Sequence, residues 1–253
     1  MIEIKNICKS FSEKLVLDNV SFNFKRGKTN LIIGESGSGK TTLLRSLIGL
    51  NSIDDGEVLF DGRDFHKLKI KEKRKLRQEI GMLFQKGALY DYMTVQDNIL
   101  FPLTMFTELS IEEKINRVNE CLKRVNLENC NHLLPSELSG GMTKRVSIAR
   151  AIVMKPKYLL CDEPNSGLDP KTAILIDNLI QEITEENNIT TIVNTHDMNS
   201  VMEIGEKIIF LLEGKKAWEG NKDEIFNTDN EAVTNFVYSS NLFKKVREVY
   251  LKK

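Results

Sequence analysis

A glycine-rich stretch holds residues whose types and spacing suit the binding of a polyphosphate. It reads Gly-Glu-Ser-Gly-Ser-Gly-Lys-Thr-Thr over 34–42, between the apolar run 31–33 and the helix-like segment 43–48. Glycines let consecutive backbone N–H groups converge on an anion, and the following helix points its positive end at the same place. Lys40 can then reach the β- and γ-phosphates of a nucleotide, and the Thr41 hydroxyl can bind Mg²⁺. A flexible linker is disfavoured, because Gly/Ser linkers are not normally flanked by two apolar runs. The candidate phosphate-binding residues are Gly34, Ser36, Gly37, Ser38, Gly39, Lys40, Thr41 and Thr42.

Two carboxylates follow a predicted buried strand further along the chain. Asp162 and Glu163 come directly after the apolar run 158–161, and ligands of open α/β sheets bind at the carboxyl ends of strands. Asp162 is suited to hold Mg²⁺, and Glu163 is suited to polarise an attacking water. Such a pair is often only a helix cap. The phosphate loop upstream favours the catalytic interpretation, because a magnesium nucleotide needs a carboxylate of this kind.

A second candidate anion site is the segment 138–142, Leu-Ser-Gly-Gly-Met, which precedes a predicted helix. The Ser139 hydroxyl and the N–H groups of Gly140 and Gly141 are its donors. The chain thus has two candidate phosphate-binding segments, 34–42 and 138–142. Either both bind one nucleotide, or they bind two different nucleotides in a symmetric dimer. His196 follows a predicted strand and could donate to a γ-phosphate, although a lone histidine is usually structural. Its position at a strand end favours a functional role.

Composition excludes several classes of protein. The 253 residues contain 36 Lys and Arg against 36 Asp and Glu, so bulk charge favours neither nucleic acid nor anionic lipid. The basic run 67–77 lacks the aromatic residues of a nucleic-acid site and is interpreted as a solvated helix face. The chain has no apolar run of membrane-spanning length and no signal-peptide pattern. Its four scattered cysteines indicate reduced thiols of a cytosolic protein.

Apolar periodicity predicts the elements that must position these residues. Short strands are predicted over 1–30, with separate apolar runs at 15–17 and 20–24, and Asp61-Gly62 predicts a hairpin within 57–64. Residues 86–155 are mostly helical in pattern. Strands alternating with helices elsewhere imply a parallel sheet with this helical segment inserted in it. The predicted buried strands are 80–84, 158–161, 190–193 and 208–212, and the predicted helices run from Ser110 through Val125, over about 141–153, and around the amphipathic stripe 176–183.

Seven motifs, in order and spacing, resemble those of the ATPase subunits of ABC transporters. They are Phe11 as the aromatic A-loop, 34–41 as Walker A, Gln85 as the Q-loop, 138–142 as the signature, 160–163 as Walker B, 166–169 as the D-loop and His196 as the H-loop. The resemblance covers about residues 1–225. It implies an α/β fold with a P-loop NTPase (RecA-like) core, an antiparallel β subdomain and an inserted α-helical subdomain.

The same resemblance implies an ATPase domain over 1–230 followed by a C-terminal tail over 231–253. Within that domain it implies a RecA-like and β core at about 1–85 and 156–230, with the helical subdomain at about 86–155. The tail carries an apolar and a basic helical face over 241–253. Docking of this helix on protein is favoured over docking on a membrane, because so short a helix binds lipid weakly without a second anchor. The resemblance suggests contact with the opposite ATPase subunit.

ATP and Mg²⁺ are the ligands that the resemblance implies, in a head-to-tail homodimer. Each ATP would be held by the Walker A loop of one subunit and by Ser139, Gly140 and Gly141 of the other. Phe11 would stack on adenine, although tyrosine is commoner there. The implied catalytic residues are Glu163, His196 and Gln85, and the implied metal-binding residues are Thr41, Gln85 and Asp162. Gln85 would also connect the site to a membrane permease.

A narrower resemblance concerns cargo. Met142 stands where many family members carry glutamine, and together with 84–90 and 98–103 it is similar to the ATPase of Mla-type, MCE-associated lipid transporters. This similarity implies phospholipid transport between the membranes of a Gram-negative envelope. It further implies an integral-membrane permease, an MCE-type lipid-binding protein, a small regulatory subunit, and a cytoplasmic position on the inner membrane. Nucleic acid is not an expected partner.

Three other functions remain as alternatives. An ABC ATPase that imports another cargo, such as an amino acid or a metal, would share every catalytic residue. A soluble ABC protein acting in cofactor assembly or on ribosomes would lack a permease, but those on ribosomes usually carry two cassettes and this sequence has one phosphate loop. A phosphotransferase is disfavoured, because it has no use for the segment 138–142 or for a base beside the magnesium carboxylate.

Overall fold

A computed structural model describes residues 1–238 in two compact units. The first unit comprises Met1–Lys25, Thr29–His66 and the chain from Asn194 onward, and the second comprises Arg26–Lys28 and Lys67–Val193. The predicted tail helix over 241–253 lies outside the described residues. The strands are β1 Ile2–Phe11, β2 Lys14–Phe24, β3 Thr29–Ile33, β4 Asp55–Phe60, β5 Arg63–Asp64, β6 Ile80–Leu83, β7 Tyr158–Asp162, β8 Thr190–Asn194, β9 Lys207–Leu212 and β10 Lys215–Gly220. The helices are α1 Lys40–Leu47, α2 Ile70–Gln78, α3 Val95–Phe106, α4 Ile111–Arg124, α5 Gly140–Ile152, α6 Pro170–Glu186, α7 Met198–Ile204 and α8 Glu231–Val237, with a short 3-10 helix at Pro135–Glu137.

An antiparallel sheet in the first unit has the strand order β2-β1-β4-β5. The predicted hairpin is confirmed, because Phe60 pairs with Arg63 across a turn in which Asp61 and Gly62 both have positive φ. The predicted short strands at 15–17 and 20–24 are instead one continuous strand. Asn19 adopts a φ of 53° inside β2, and the β1–β2 register shifts at several points. These β-bulges allow the strand to continue through its polar residues.

In the same unit β3 pairs in parallel with β9, and β9 pairs antiparallel with β10. Leu31, Ile32 and Ile33 of β3 have no solvent exposure. An unbroken apolar run of this kind is typical of a strand that is covered on both faces. The chain leaves β3 directly into the glycine-rich loop and enters α1. Strand β10, whose residues are mostly exposed or half-buried, was not predicted.

The second unit contains the neighbouring strands β8, β7 and β6, with β6 and β7 parallel. Helices α3, α4 and α5 lie between β6 and β7 in the chain, as the helical pattern of 86–155 predicts. The predicted start of α4 is confirmed, because Ser110 Oγ accepts from the backbone N–H of Glu113 and the Glu113 carboxylate accepts from the N–H of Ser110. None of the helices described has both the length and the apolar character needed to cross a bilayer.

All four cysteines are free thiols within the described chain, three of them buried and Cys8 half-buried. Burial raises the pKa of the Cys121 thiol to about 11. A thiol with such a pKa is protonated at neutral pH and is a poor nucleophile or metal ligand. Burial also raises the pKa of Cys130 and Cys161, so the three buried cysteines serve as packing residues.

Candidate functional site

The glycine-rich loop of the first unit has the backbone geometry of an anion cradle. Gly39 stands at the N-terminus of α1 with a φ of 103°, and the first turn of α1 contains no acidic residue. A Cβ on Gly34 would lie 2.3 Å from the Leu211 carbonyl oxygen, and one on Gly39 would lie 2.9 Å from the Val16 carbonyl oxygen. These two glycines are therefore required by close backbone approach. The positive end of α1 remains available to a ligand.

Two side chains of this loop fit a bound phosphate. The buried Lys40 donates from Nζ to the carbonyl oxygens of Gly34 (2.9 Å) and Glu35 (2.8 Å), which holds the ammonium against the loop. The Ser38 Oγ is buried and has no hydrogen-bond partner among the described residues. A buried hydroxyl without a partner is costly unless a ligand satisfies it. The predicted phosphate-binding residues thus lie together and suit a nucleotide.

Thr41 is positioned by a residue that the sequence did not reveal. Asn194, the last residue of β8, donates from Nδ2 to the Thr41 Oγ1 at 3.1 Å. This hydrogen bond restricts the orientation of the Thr41 hydroxyl. The only signal in the sequence is that Asn194 is a polar residue at the carboxyl end of a buried strand. Asn194 is a positioning residue for the predicted metal ligand.

Phe11 and His196 also belong to the first unit and are exposed. Phe11 ends β1 with 47% of its surface accessible, and the Lys9 Nζ lies 5.2 Å from its ring centroid. His196 is exposed between β8 and α7, and the next residue, Asp197, accepts from the N–H of Asn199 at the start of α7. An exposed ring can stack on a base, and the A-loop role of Phe11 stays a prediction.

The acidic pair in the second unit is joined to the predicted Q-loop residue. Asp162 is buried at the end of β7, while Glu163 is half-buried with a φ of 46°. The Gln85 Nε2 donates to the Glu163 Oε2 at 2.8 Å. A positive φ at glutamate costs on the order of 1–3 kcal/mol and is typical of functional sites. The structure therefore brings two of the three predicted catalytic residues into direct contact.

Lys144 is a further residue of this cluster that the sequence did not reveal. Its Nζ donates to the Gln85 carbonyl oxygen and, at 3.4 Å, to the Glu163 carbonyl oxygen. Burial lowers the pKa of Lys144, and the nearby Cys161, Glu163 and Asp162 oppose that shift. Lys144 lies in α5, three residues after Gly141, the last residue of the Ser-Gly-Gly segment. It therefore ties the Q-loop backbone and the acidic pair to the signature helix.

Replacement of Lys144 by Met is expected to lower the kcat for ATP hydrolysis by about tenfold to a hundredfold, with ATP affinity changed less than about twofold. A charged donor contributes about 1.5–3 kcal/mol, and its loss frees the backbone that carries Gln85 and Glu163. Steady-state hydrolysis and equilibrium nucleotide binding check this. Lys123→Met on the exposed face of α4 is the matched control. An unchanged kcat in the Lys144→Met protein would show that Lys144 contributes to packing and does not position the catalytic residues.

The Ser-Gly-Gly segment forms the exposed N-terminus of α5. The Ser139 Oγ accepts from the N–H of Met142 at 3.3 Å, and both Ser139 and Gly140 are exposed. A Cβ on Gly141 would lie 2.9 Å from the Thr172 Cγ2, so glycine permits the close approach of α5 and α6. The segment and the predicted D-loop share a cavity of about 330 Å³, lined by Ser139, Gly140, Gly141, Met142, Arg145, Gly167, Leu168, Asp169 and Thr172. This open cavity can receive an anion at a helix N-terminus.

The predicted metal ligands fit magnesium better than a transition metal. Across residues 1–238, no group of three or more His, Cys, Asp and Glu side chains is arranged to hold a metal ion. Mg²⁺ needs only one or two carboxylates when phosphates and water complete its shell. Thr41 in the first unit carries a hydroxyl, and Gln85 and Asp162 in the second unit carry an amide and a buried carboxylate; all three are oxygen donors of the kind that Mg²⁺ prefers.

Comparison with known proteins agrees with these features. The sequence model of the family described as "ABC transporter" matches residues 17–166. The methionine import ATP-binding protein MetN of Clostridium tetani is 44% identical over 218 residues, which is 85% of this chain and 67% of that protein. The intermembrane phospholipid transport system ATP-binding protein MlaF of Haemophilus influenzae is 36% identical over 237 residues, covering 94% of this chain and 90% of that protein.

Solved structures show the same fold. The dimeric structure of MJ0796, a bacterial ABC transporter cassette, matches with a TM-score of 0.81 and 37% identity over 88% of this chain and 99% of that one. A post-hydrolysis state of MJ0796 bound to ADP and Pi matches with a TM-score of 0.79. The predicted fold class is thereby confirmed. The chain belongs to the ABC transporter ATP-binding family, and it is an ATPase that acts on ATP with Mg²⁺.

Proposed function

We propose that this chain is the ATP-hydrolysing subunit that drives phospholipid transport through a separate permease. The observation that carries the hydrolytic role is the hydrogen bond from Gln85 to Glu163, because it fixes a carboxylate beside the buried Asp162. A carboxylate held in this way can orient a water and accept its proton. Glu163 is therefore assigned as the general base.

Binding of the nucleotide falls to other residues. The loop N–H groups, the α1 N-terminus and the Lys40 ammonium bind the phosphates, while Phe11 stacks on the adenine. His196 donates to the γ-phosphate. Thr41, Gln85 and Asp162 would hold Mg²⁺, which supplies charge neutralisation at the β- and γ-phosphates when bound. The sequence resemblance and the local geometry around Lys40 support these assignments.

The Ser-Gly-Gly segment is assigned to the nucleotide of a second copy of the chain. In its own copy the N-terminus of α5 is exposed and opens into the cavity shared with the D-loop. Exposed backbone donors at a helix N-terminus attract phosphate. The dimeric state of the MJ0796 cassette supports an arrangement in which two copies of this chain share each ATP.

Replacement of Ser139 by Ala tests that arrangement. We expect hydrolysis in the dimer to fall at least about tenfold, since a direct hydrogen bond to phosphate is lost, while the ATP affinity of the monomer stays nearly unchanged. Ser110→Ala is the matched control, because it removes the equivalent cap of α4 at a similar cost of about 1 kcal/mol in stability. Equal losses in hydrolysis and monomer affinity would argue against a site shared between copies.

A groove in the second unit is the proposed contact for the permease. It has a volume of about 480 Å³ and is lined by Arg77, Gln78, Ile80, Gly81, Met82, Phe84, Ala88, Tyr90, Phe101, Pro102, Phe106, Arg150, Ala151 and Met154. Phe84 lines it, and the next residue, Gln85, contacts Glu163. Arg150 donates to the carbonyl oxygens of Gly87 (2.7 Å) and Ala88 (2.8 Å) and so fixes this segment. An apolar cytoplasmic segment of a permease seated here would be coupled to the catalytic carboxylate.

Phospholipid is the proposed cargo. Met142 and the segments 84–90 and 98–103 support it, as does the similarity to MlaF over nearly the whole of both chains. The subunit would then lie on the cytoplasmic face of an inner membrane, with an MCE-type lipid-binding protein and a small regulatory subunit as further partners. Methionine import is the second candidate, because MetN of Clostridium tetani is more similar in sequence, at 44% identity.

Reconstitution of the complex purified from its own membranes distinguishes the two cargoes. The chain would be isolated with its permease, placed in proteoliposomes, and assayed with ATP for movement of a fluorescent phospholipid and of labelled methionine. ATP-dependent lipid movement that is absent in the Glu163→Gln complex supports the proposal. Methionine uptake without lipid movement would replace it with the import function, and purification without any membrane protein would indicate a soluble ATPase.

A further inference from the structure

A strongly basic helix lies on the surface of the second unit. Residues 67–77 contain seven Lys and Arg but only one acidic residue, Glu72, although the whole chain is balanced in charge. Helix α2 holds most of these residues. We propose that the outward side of α2 is a contact surface for anionic phospholipid headgroups of the membrane in which the permease lies. This inference rests on the proposed function, since it places the subunit beneath a bilayer.

The outward side of α2 combines basic residues with one exposed apolar side chain. Leu76 is the only buried residue of the helix and marks its inner side. At about 100° per residue, Ile70, Lys71 and Arg74 point away from Leu76, and Lys75 and Arg77 lie on the two flanks of that outward side. We call these five residues the α2 basic face. All five are exposed, and Ile70 has 74% of its surface accessible. Ile70, Arg74 and Arg77 follow one another at i, i+4 and i+7.

This composition suits a lipid surface better than the alternatives. Clusters of four to eight Lys and Arg attract anionic headgroups, and each contributes roughly a factor of five in affinity. An apolar side chain within such a cluster can enter the boundary between headgroups and acyl chains. Nucleic acid is disfavoured because residues 67–77 contain no aromatic side chain on which a base could stack. The five lysines of residues 67–77, each a flexible point charge, suit a fluid surface rather than one fixed carboxylate pattern.

The position of α2 agrees with this assignment. Arg77 and Gln78, at the end of the helix, also line the groove proposed for the permease, together with Phe84 and Tyr90. The α2 basic face therefore continues directly from that groove on the same unit. A permease segment seated in the groove would bring α2 to the side of the subunit that faces the bilayer.

Vesicle binding tests the proposal without the permease. The full-length chain would be mixed with vesicles of phosphatidylcholine alone or with added phosphatidylglycerol, at low and high salt. We expect binding only to the anionic vesicles, weakened by salt. The triple variant Lys71→Glu, Arg74→Glu, Lys75→Glu should bind these vesicles at least about a hundredfold more weakly, since three favourable charges are lost and three repulsive charges are added. Ile70→Gln should weaken binding by a smaller factor and leave the salt dependence unchanged.

A matched control separates local from bulk charge. The variant Lys5→Glu, Lys123→Glu, Lys216→Glu makes the same change in net charge at dispersed exposed positions and should retain binding. Equal losses in the two triple variants, or anionic-vesicle binding by the α2 variant as tight as that of the parent, would overturn the proposal. A loss of permease binding with vesicle binding intact would indicate an acidic protein partner instead. ATP hydrolysis by the α2 triple variant is measured as well. An unchanged rate shows that the variant is folded and active as an ATPase, independently of the result of the vesicle-binding measurement.

Discussion

Glu163→Gln is expected to lower the kcat for ATP hydrolysis by roughly a thousandfold while ATP still binds. A general base contributes about 10²–10⁴ in rate, and an amide cannot accept a proton from water. The substituted amide oxygen can still accept the hydrogen bond that the Gln85 Nε2 now gives to the Glu163 Oε2. The local geometry is therefore preserved, and the loss reports the chemistry alone.

Steady-state hydrolysis and equilibrium nucleotide binding check this prediction. Glu120→Gln, on the exposed side of α4, is the control for removing one carboxylate from the second unit. Hydrolysis by Glu163→Gln at near the parent rate would show that Glu163 is not the base. A variant that lost both binding and hydrolysis would instead indicate that Glu163 maintains the structure of the Q-loop.

Lys40→Ala is expected to weaken ATP binding by about a hundredfold. The substitution removes a charged donor to the β- and γ-phosphates, and such hydrogen bonds contribute about 1.5–3 kcal/mol. It also removes the two hydrogen bonds to the Gly34 and Glu35 carbonyl oxygens that keep the loop closed. Calorimetric titration with ATP, or with a fluorescent analogue, measures the loss directly.

Thermal unfolding of Lys40→Ala without nucleotide supplies the necessary check on folding. A Tm close to that of the parent, with affinity reduced as expected, assigns the effect to the phosphate contact. Lys123→Ala provides the matched control for removing an exposed lysine. Affinity within about threefold of the parent would contradict the role given to Lys40.

Local features of the fold could be predicted because each depends on neighbouring residues. The phosphate loop is defined by glycine spacing between two apolar runs, and the structure places it between β3 and α1. The Asp61-Gly62 hairpin and the Ser110 cap are equally local, since one needs positive φ and the other a side chain three residues from its partner. Hydrophobic pattern also sufficed for strands buried on both faces.

Contacts between distant parts of the chain could not be predicted. The Lys144 Nζ meets the backbone of Gln85, 59 residues away, and the Asn194 Nδ2 meets Thr41, 153 residues away. No local pattern distinguishes these side chains from exposed ones. Similarly, β2 continues through polar residues because β-bulges accommodate them. The basic run 67–77 predicted a solvated helix but did not reveal the groove at the end of that helix. Cargo depends on the permease rather than on this fold.

Crosslinking between copies tests most directly the claim that two copies share each ATP. Ser36→Cys and Ser139→Cys would be introduced into separate copies of the Glu163→Gln chain, which keeps ATP intact, and mixed with a short thiol-reactive crosslinker. Both positions are exposed, whereas three of the native cysteines are buried and Cys8 is half-buried. The account predicts a crosslinked dimer only when both variants and ATP are present. No crosslink with ATP, or the same yield from either variant alone, would contradict it.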